Sequence, residues 1–550
     1  MLTQSQLDGA ELVWLCELRL RGVVYRFADR GLLVSSDAGA HKYLGTLEPL
    51  EYQDEDGPWD NALAERSMAV SVLFGDDGFA AIVAGDHDLG DAVCELALHR
   101  VGDAYEDRSV ILEGFVDEPD YASADEPVTF SVRESALLDR GQVPSPLAKV
   151  NLETWATGAT YMHDPSITGE SYPIPIGQPG QLLEGLTEQF GSPTLLVEIS
   201  IADEDNSNDP AKVLIGDGDL SCTGKPILLQ NKTNGQSAAL EPRLEQDGRG
   251  RLVTVLEVAN QAGGGVDTAA GDELWASFRE PYSGGARAQD GSMLEGAGDI
   301  LAWLLARTTL RVDTEQLRGS VELLNQYRFA FYVNGSHNTW DMAQDLLRYL
   351  PASFRLGPRG LQIVHWRLDA TGADSVQTLN TGTEQGDLVG KAGRTSRADV
   401  ANVLSINYGR DPSSSEHRLQ LVFGPESWPE PSAAYQSHPL CSASFTRYQD
   451  ALGRPLVQAP INTELVQDAG TAAAILHAEA MRRCGTHEQA TFAGLAQRWQ
   501  SAQPGQVIKV THEPIGWAEK VCLVTSVLRA PGTSMVSVLS PNHWIRDALG

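Results

Sequence analysis

The sequence predicts a mainly β protein of several domains, with α+β insertions and a small helix-containing domain in the middle of the chain. Three observations predict this fold class. Short apolar runs of alternating polarity recur from the N-terminus and are separated by Gly and Asp. Helical periodicity is restricted to a few segments in the second half. The chain has 550 residues, too many for a single hydrophobic core, since one domain takes roughly 100–200 residues.

Residues 1–145 are predicted to form an N-terminal β-barrel domain. Its apolar runs are rich in β-branched and aromatic residues and are bounded by turns such as "GDDG". The runs are "ELRLRGVVYRF", "HKYLGTLEPLEYQ", "SMAVSVLFG", "VCELALHRV", "RSVILEGFVDE" and "PVTFSVRES". So many short strands in a domain of ordinary size indicate a barrel or a sandwich.

Residues 146–290 are predicted to form a second β-rich domain, whose strands follow the Pro/Gly-rich connector "YPIPIGQPG". The strands are "TLLVEISI", "KVLIGDGD", "PILLQ", "LVTVLEV" and "ELWASFRE". Within it, "GDGDLSCTGKP" has the Gly-Lys pair of a phosphate-binding loop. That loop needs a first glycine where this chain has Asp219, and a Ser or Thr where it has Pro226. We therefore interpret the stretch as two strands joined by a Gly/Asp turn.

Residues 291–395 are predicted to form an α/β middle domain. "GDILAWLLARTTL" and "NTWDMAQDLLRYLP" have helical periodicity, and the strand "GLQIVHWRL" follows. Asn338 or Thr339 is the expected N-cap of the second helix, and Pro351 ends it. One face of that helix is lined by Trp340, Ala343, Leu346, Leu347 and Leu350.

Residues 396–550 are predicted to form a C-terminal β-barrel domain with one helix. The helix is "TAAAILHAEAMRRCG", with Gly485 as its C-cap and one apolar stripe expected to pack on the closing strands. "GPESWPEPSAAYQSHPL" is interpreted as a loop. The strands are "VANVLSINYG", "HRLQLVFG", "QATFAGLAQRW", "VIKVTHEP", "KVCLVTSVLRA" and "SMVSVLS".

Charge and segment composition exclude several classes of protein. The formal net charge of −33 argues against a protein that grips nucleic acid or an anionic membrane by releasing counterions. An equally good explanation is a solubilising acidic surface. No segment has the length of apolar sequence that spans a bilayer or the pattern of an export signal. We therefore expect no stable nucleic-acid binding, no membrane-spanning segment, and synthesis in a cytosol.

Six cysteines occur without a Cys-x-x-Cys pair, so we expect reduced, buried thiols. Cys441, Cys484 and Cys522 could meet in space, which leaves a weak alternative of a metal site.

Other polar clusters fail the requirements of known sites. "DEDNSNDP" spaces Asp203, Asp205, Ser207 and Asp209 like a calcium loop, but the required Gly and bidentate Glu are missing. "GDHDLGD", with Asp86, His87, Asp88 and Asp91, is interpreted as a solvated turn, and His337 as a loop or capping residue. No nucleophile elbow or zinc helix occurs. We expect no catalytic, cofactor-binding or metal-binding residues, no cofactor and no enzyme activity.

The order of these parts resembles the tail-tip (baseplate) hub proteins of long-tailed bacteriophages and of related gene transfer agents. The resemblance is carried by "RSVILEGFVDEP" and "PVTFSVRES", by "GAGDILAWLLARTTLRVD", by the segment from "YRFAFYVNGSHNTW" to "LQIVHW", and above all by "TFAGLAQRWQSAQPGQVIKVTHEPIGW". It spans most of the chain as a pattern, without a single diagnostic motif.

The resemblance implies that the chain is a structural component of a virion. Such hubs are usually trimers of tube-like barrel domains that continue the tail tube of a siphovirus and let DNA pass during ejection. The implied partners are two further copies of this chain, the distal tail protein, the tape measure protein and a central fibre or spike. Assembly is expected in the host cytoplasm, and the final location is the virion tail tip. Hubs of this class are often longer, so receptor binding is expected on another protein.

Three alternatives stay open. The chain could be the distal tail protein of the same baseplate. A tail-associated peptidoglycan hydrolase would need a compact catalytic domain, for which no segment is left over. A carbohydrate-binding β protein would expose aromatic side chains along grooves, whereas Trp14, Trp275 and Trp303 lie in apolar runs.

Overall fold

The structure is a computed structural model of the 550-residue chain. It describes residues 12–48, 50, 52–55, 67–74, 89, 92–120, 126–134, 142–143, 161–163, 172–177, 192–200, 211–220, 225–247, 250–258, 266–269, 271–277, 293–308, 311–333, 337–357, 360–383, 389–411, 416–428, 434–495, 499, 501–530 and 533–541. The chain is mainly β and has several sheets with separate cores, which confirms the predicted fold class.

The N-terminal sheet contains six antiparallel strands in the order β2-β1-β7-β8-β9-β6. They are β1 (Leu12–Leu20), β2 (Val23–Ala28), β6 (Ser67–Val72), β7 (Val93–Arg100), β8 (Ser109–Asp120) and β9 (Val128–Glu134). Strands β6, β7, β8 and β9 each coincide with a predicted run, whereas the single run "ELRLRGVVYRF" contains the end of β1, a turn and most of β2. Inward-facing side chains such as Trp14, Cys16, Leu18 and Phe130 form its core.

The segment 44–48 closes the N-terminal sheet on itself. Leu44 bridges to Phe27 of β2, and Leu47 bridges to Val72 of β6. The backbone N–H of Ala28 donates to Leu44 O at 2.7 Å, and that of Glu48 donates to Ser71 O at 3.0 Å. A side chain on Gly45 would overlap the Arg30–Gly31 peptide, so only glycine fits this crossing. Both edge strands are therefore covered.

A hairpin of which the sequence predicted only the end of the second strand covers the outer face of this sheet. It consists of β3 (Leu32–Ser36) and β4 (Gly39–Tyr43). Val34 and Tyr43 of the hairpin pack on Val13 and Leu15 of β1 and on Ala97 of β7. Strand β1 is consequently buried on both faces.

The second sheet has eight strands, in the order β16-β15-β19-β13-β14-β18-β17, and β11 also pairs with β13. They are β11 (Tyr161–His163), β13 (Ser192–Ser200), β14 (Ala211–Asp217), β15 (Ile227–Asn231), β16 (Gln236–Leu240), β17 (Pro242–Gln246), β18 (Leu252–Val258) and β19 (Leu274–Ser277). The "GDGDLSCTGKP" stretch connects β14 to β15, so the two predicted strands are confirmed. They are not a hairpin, because β13 and β19 lie between them.

The middle of the chain supplies three helices and a hairpin. The helices are α1 (Ala297–Leu305), α2 (Thr314–Leu324) and α3 (Thr339–Leu347), and the hairpin is β22 (Ala352–Gly357) with β23 (Gly360–His365). Asn338 caps α3 as predicted, because its side chain accepts from the N–H groups of Trp340 and Asp341. Helix α2 was not predicted.

Two short ladders attach earlier parts of the chain to this region. They are β10 (Gln142–Val143) with β21 (His337–Asn338), and β12 (Ile174–Ile176) with β20 (Phe331–Val333).

The C-terminal sheet has the order β24-β31-β32-β33-β30-β25, and β5 also pairs with β32. Its strands are β5 (Tyr52–Glu55), β24 (Gln377–Asn380), β25 (Val389–Arg394), β30 (Glu488–Leu495), β31 (Val507–His512), β32 (Trp517–Ala530) and β33 (Thr533–Ser540). The core on one face contains Phe492, Trp499 and Val524. Trp366 and Leu539 belong to a second cluster.

A four-stranded sheet, in the order β28-β27-β26-β29, lies between these strands in sequence. Its strands are β26 (Leu404–Asp411), β27 (Glu416–Gly424), β28 (Tyr435–Ser437) and β29 (Ile461–Asn462). Two helices accompany it, α4 (Pro439–Phe445) and α5 (Ala469–Arg483). Helix α4 shares only Pro439 and Leu440 with the predicted loop and continues into residues for which no element was predicted. Proline at its first position fits a helix start.

The predicted packing of α5 on the closing strands was wrong. Ile475 and Leu476 share a core with Ile406 of β26, Leu421 of β27 and the buried faces of α1 and α3. The apolar face of the four-stranded sheet accepts this helix, whereas the closing strands fill their own core with Phe492 and other side chains. The C-cap is Cys484 in right-handed helical geometry, and not the predicted Gly485.

Candidate functional site

A row of charged side chains crosses the outer face of the N-terminal sheet. Arg26, Glu17, Glu95 and Glu113 lie directly opposite one another on β2, β1, β7 and β8, and we call them the charged row. Like charges opposite each other on neighbouring strands repel. Three aligned glutamates therefore require compensating cations, which further arginines supply.

Glu17 is the most enclosed member of the charged row, with an exposed fraction of 2%. It accepts hydrogen bonds from Tyr43 Oη at 2.6 Å, Arg26 Nε at 2.9 Å and Tyr105 Oη at 3.0 Å. Burial alone would raise the pKa of Glu17, but the bonds from Tyr43 and Arg26 outweigh it and lower that pKa. Glu17 is thus held ionised, and it fastens the β3–β4 hairpin through Tyr43.

Glu95 has arginine partners on both sides. Arg19 Nη2 donates to it at 2.7 Å and Arg108 Nε at 2.8 Å. The guanidinium of Arg108 also lies 3.7 Å from the centre of the Tyr105 ring. Every carboxylate oxygen of Glu17 and Glu95 already accepts a hydrogen bond, which suits a structural role better than proton transfer to a substrate.

The charged row also binds the middle of the chain. Arg311, between α1 and α2, donates from Nη1 to Glu113 at 2.7 Å. Arg19 lies 3.7 Å from the other Glu113 oxygen. Both arginines are well exposed, so each of these two contacts contributes little alone. The Arg311–Glu113 pair links the helical region to the N-terminal sheet, whereas the Arg19–Glu113 contact lies within that sheet.

A second junction joins the two ends of the chain. Strand β5 pairs antiparallel with β32, from Tyr52 opposite Arg529 to Glu55 opposite Ser526. Strand β31 pairs with the first half of β32, from Trp517 to Leu523. Because β5 and β31 follow one another along the same edge, the N-terminal part of the chain completes the C-terminal sheet.

The same junction buries a cation. Arg529 is 2% exposed and donates from Nη2 to Ala502 O at 2.8 Å. A buried guanidinium needs fixed acceptors around it. Arg529 therefore constrains the loop before β31 as well as the strand that carries it.

A cavity of about 360 Å³ opens between the end of α3, strand β29 and helix α5. Arg348, Arg482 and Arg483 contribute to its lining, together with Glu479. Glu479 accepts from Arg482 at 3.1 Å and from Arg483 at 2.9 Å, so these charges are already engaged. The lining holds no cysteine, serine or histidine that could act as a nucleophile or base.

The cysteines divide between separate cores. Cys441 and Cys484 are buried with their sulfur atoms 3.8 Å apart, whereas Cys522 lies in the core of the C-terminal sheet. The suggested meeting of all three was therefore wrong, since their elements belong to different cores. Within the described residues, no cluster of three or more His, Cys, Asp or Glu side chains could hold a metal ion.

The other polar clusters weighed in the sequence lie mostly outside the described residues. These are the loop with Asp203, Asp205, Ser207 and Asp209, and the turn with Asp86, His87, Asp88 and Asp91. His337 belongs to the short strand β21, directly before the cap residue Asn338. Trp14 and Trp275 are buried, as their apolar context predicted, whereas Trp303 is only partly buried. In the part of the chain that the structure describes, no helix has the length and apolar character needed to cross a membrane.

The sequence could have revealed part of the charged row. "ELRLR" alternates in polarity and places Glu17 and Arg19 on the face opposite Leu18 and Leu20. Such alternation is typical of a solvated face. Only the packing of Tyr43 and Tyr105 above these strands encloses Glu17, and nothing local in the sequence indicates that packing.

Comparison with known proteins gives likeness only at the level of solved structures. A scan against protein-family models finds no match, and a search of curated proteins finds none. A tail protein from Neisseria meningitidis is 9% identical with a TM-score of 0.36, and the match covers 97% of this chain and 99% of that one. A 43 kDa prophage tail protein from Shewanella oneidensis is 11% identical with a TM-score of 0.33, covering 98% and 100%.

A chain from the virion of a native gene transfer agent particle is 13% identical with a TM-score of 0.20, and the match covers 50% of this chain and 83% of that one. These neighbours are parts of phage tails or of a related particle, and TM-scores this low carry no argument about what the present chain does.

Proposed function

We propose that this chain is a non-enzymatic structural protein of a bacteriophage tail. Its role is that of the tail-tip hub, which closes or continues the tail tube, links the distal tail ring to the central fibre or spike, and lets DNA pass during ejection. The proposal starts from the sequence resemblance to such hubs and from the geometry of two sheets.

One structural observation carries most weight: the N-terminal sheet is closed by segment 44–48 and is joined through β5 to the C-terminal sheet. Closure removes the free edges along which sheets aggregate. The main-chain bonds between β5 and β32 restrain the position of one sheet against the other. Two sheets tied together through the main chain would suit a part that transmits load between a tube and a fibre.

The side-chain chemistry supports a non-enzymatic role. The most buried carboxylates, Glu17 and Glu95, are saturated by donors. Of the arginines that line the α3–α5 cavity, Arg482 and Arg483 are paired with Glu479, and Arg348 lies 3.0 Å from Asp345. The net charge of −33 suits a conduit, because DNA passing through a bore must not be held by Lys and Arg.

The proposed assembly is a trimer that contacts the distal tail protein, the tape measure protein and a central fibre at the virion tail tip. Within each chain, we keep 1–145 and 396–550 as the tube-like domains, 146–290 as a second β-rich domain and 291–395 as the middle domain. Two tube-like domains in each of three chains would match a sixfold tail ring.

Native mass spectrometry of the purified full-length chain, combined with electron-microscopy class averages, tests this proposal. We expect a species of three chain masses that persists on dilution and in high salt, and a ring-shaped particle with threefold symmetry. A sixfold ring would instead favour the distal tail protein. A chain that stays monomeric both in solution and in assembled tails would refute the hub role.

A further inference from the structure

The cavity between α3, β29 and α5 has a lining that is partly cationic and partly apolar. Its volume of about 360 Å³ is within the usual range of ligand-binding pockets. Three arginines line it, Arg348, Arg482 and Arg483. Its apolar lining consists of Leu350, Pro351, Ile461, Ile475 and Ala478. Such a lining suits a ligand that is anionic in one part and aliphatic in another.

Regular secondary structure holds the walls of this cavity. The five α5 residues of the lining, within 475–483, occur at positions i, i+3, i+4, i+7 and i+8 and therefore share one face of the helix. Strand β29 is paired with β26. Tyr349 Oη donates to Asn462 O at 3.2 Å and so ties the end of α3 to β29. The cavity is thus formed before any ligand binds.

The lining carries more positive charge than its own carboxylate neutralises. Glu479 accepts from Arg482 at 3.1 Å and from Arg483 at 2.9 Å, so one negative charge is shared between two guanidinium groups. Burial lowers the pKa of Arg482 against the opposing effect of Glu479, which indicates that Glu479 compensates this cation only in part. With Arg348, the lining has three positive charges and one negative charge, a formal net charge of +2.

The acidic neighbours of the cavity are exposed to solvent. Arg348 lies 3.0 Å from Asp345, and these two side chains are 68% and 61% exposed, so the pair contributes little. Asp345, Asp399 and Glu464 act on lining residues from outside the lining, and all three are exposed. A carboxylate placed inside the cavity would be closer to the arginines and less screened by solvent.

The local positive charge contrasts with the formal net charge of −33 for the chain. At about 0.15 M salt the Debye length is about 8 Å, so repulsion from distant carboxylates is screened while contacts inside the cavity persist. An inorganic anion would use the arginines but leave the apolar lining in water. An acidic peptide segment with an aliphatic residue beside its carboxylate would use both parts.

We propose that this cavity is the docking site for an extended segment of a partner protein that carries a glutamate or aspartate beside a leucine or isoleucine. The carboxylate accepts hydrogen bonds from Arg348 and Arg483, and the aliphatic side chain packs on Pro351 and Ile461. The assignment depends on the cavity alone and is independent of the proposed tail function.

Fluorescence anisotropy with a defined peptide tests the site in the full-length chain at ~0.15 M salt. The probe is the fluorescein-labelled hexapeptide amide Gly-Leu-Glu-Leu-Glu-Gly, and its matched control has glutamine in place of both glutamates. We expect the acidic peptide to bind roughly fivefold more tightly than the control or better. Unlabelled acidic peptide should displace it, whereas inorganic phosphate at the same concentration should not. Equal affinity for the two peptides, no binding up to about 1 mM, or equal displacement by phosphate would overturn the proposal.

Two matched arginine variants separate the cavity from general surface charge. Arg348→Gln removes one cation of the lining, and we expect it to weaken binding of the acidic peptide roughly fivefold. Arg328→Gln is the control, because Arg328 lies beside Glu295, is 65% exposed and does not line the cavity. It should leave the affinity unchanged. Equal effects of the two substitutions would contradict the assignment.

Photo-cross-linking keeps the test decisive in the wild-type chain if a variant misfolds. The first leucine of the acidic peptide is replaced by benzoylphenylalanine, the complex is irradiated, and the cross-linked residues are mapped by mass spectrometry. We expect cross-links within residues 348–351, 458–462 or 475–483, which line the cavity. Cross-links confined to other parts of the chain would overturn the proposal.

Discussion

Replacing Tyr43 with Phe tests how strongly the charged row holds the β3–β4 hairpin on the N-terminal sheet. The change removes one hydroxyl and keeps the ring. That hydroxyl donates to Glu17 at 2.6 Å, and the two residues are 1% and 2% exposed. A hydrogen bond to a buried charged group contributes about 1.5–3 kcal/mol. We expect Tyr43→Phe to lower the free energy of unfolding of this region by about 2 kcal/mol.

Tyr105→Phe is the matched control. Tyr105 donates to the other oxygen of Glu17 at 3.0 Å and is only half-buried, so solvent replaces part of the lost bond. We expect a cost of about 1 kcal/mol for this variant. Both variants leave the carboxylate and the arginines in place, and the difference between them isolates the effect of burial.

Hydrogen–deuterium exchange of the full-length chain measures the effect locally, which avoids assuming a two-state transition for a large protein. Peptides from β1 and β7 should exchange roughly 30-fold faster in Tyr43→Phe, the factor equivalent to about 2 kcal/mol. Peptides from β26 serve as the internal reference and should not change. Exchange at the wild-type rate in Tyr43→Phe, or a larger effect in Tyr105→Phe, would refute this account of the charged row.

Three further outcomes are expected. Burial opposes ionisation of Glu17, but its hydrogen bonds lower its pKa below the usual 4.5, so its stabilisation is present above that pH and is lost as the pH falls through the folded-state pKa. Glu17→Gln should therefore unfold at a lower temperature than the wild type at pH 7, and the two unfolding temperatures should converge in acid. Leu476→Asp buries an unpaired charge and should cost several kcal/mol, unfolding the core around α5 in limited proteolysis, whereas Ala469→Asp at the exposed helix start should be tolerated. The purified chain should show no DNA binding in anisotropy titrations even at ~50 mM salt, and tight salt-sensitive binding would contradict a passive conduit.

Local pattern was enough to predict most strands and two of the middle helices. Alternating polarity located β1, β7 and β33, and the cap at Asn338 located the start of α3. Helix α4 escaped prediction because it has only seven residues, too few for helical periodicity to develop, and it begins at the end of a Pro/Ser-rich segment. In the β3–β4 hairpin, β3 was not predicted, whereas the last three residues of β4 begin the predicted run "HKYLGTLEPLEYQ".

Long-range packing was not readable from the sequence. The apolar stripe on α5 predicted which face of the helix is buried. It did not predict which apolar surface covers that face, and the helix packs on β26 and β27 instead of the closing strands. The cysteines show the same limit. Cys441 and Cys484 come together across 43 positions, whereas Cys522 on β32 lies in the core of the C-terminal sheet.

The position of β5 on β32 has a consequence for how the chain is made. Strand β5 leaves the ribosome hundreds of residues before β32. Until β32 emerges, β5 lacks this partner strand, and its backbone donors and acceptors can pair with other chains. In a chain truncated before β32, β5 would never acquire this partner strand. We therefore expect truncated products to aggregate in cells while the full-length chain stays dispersed.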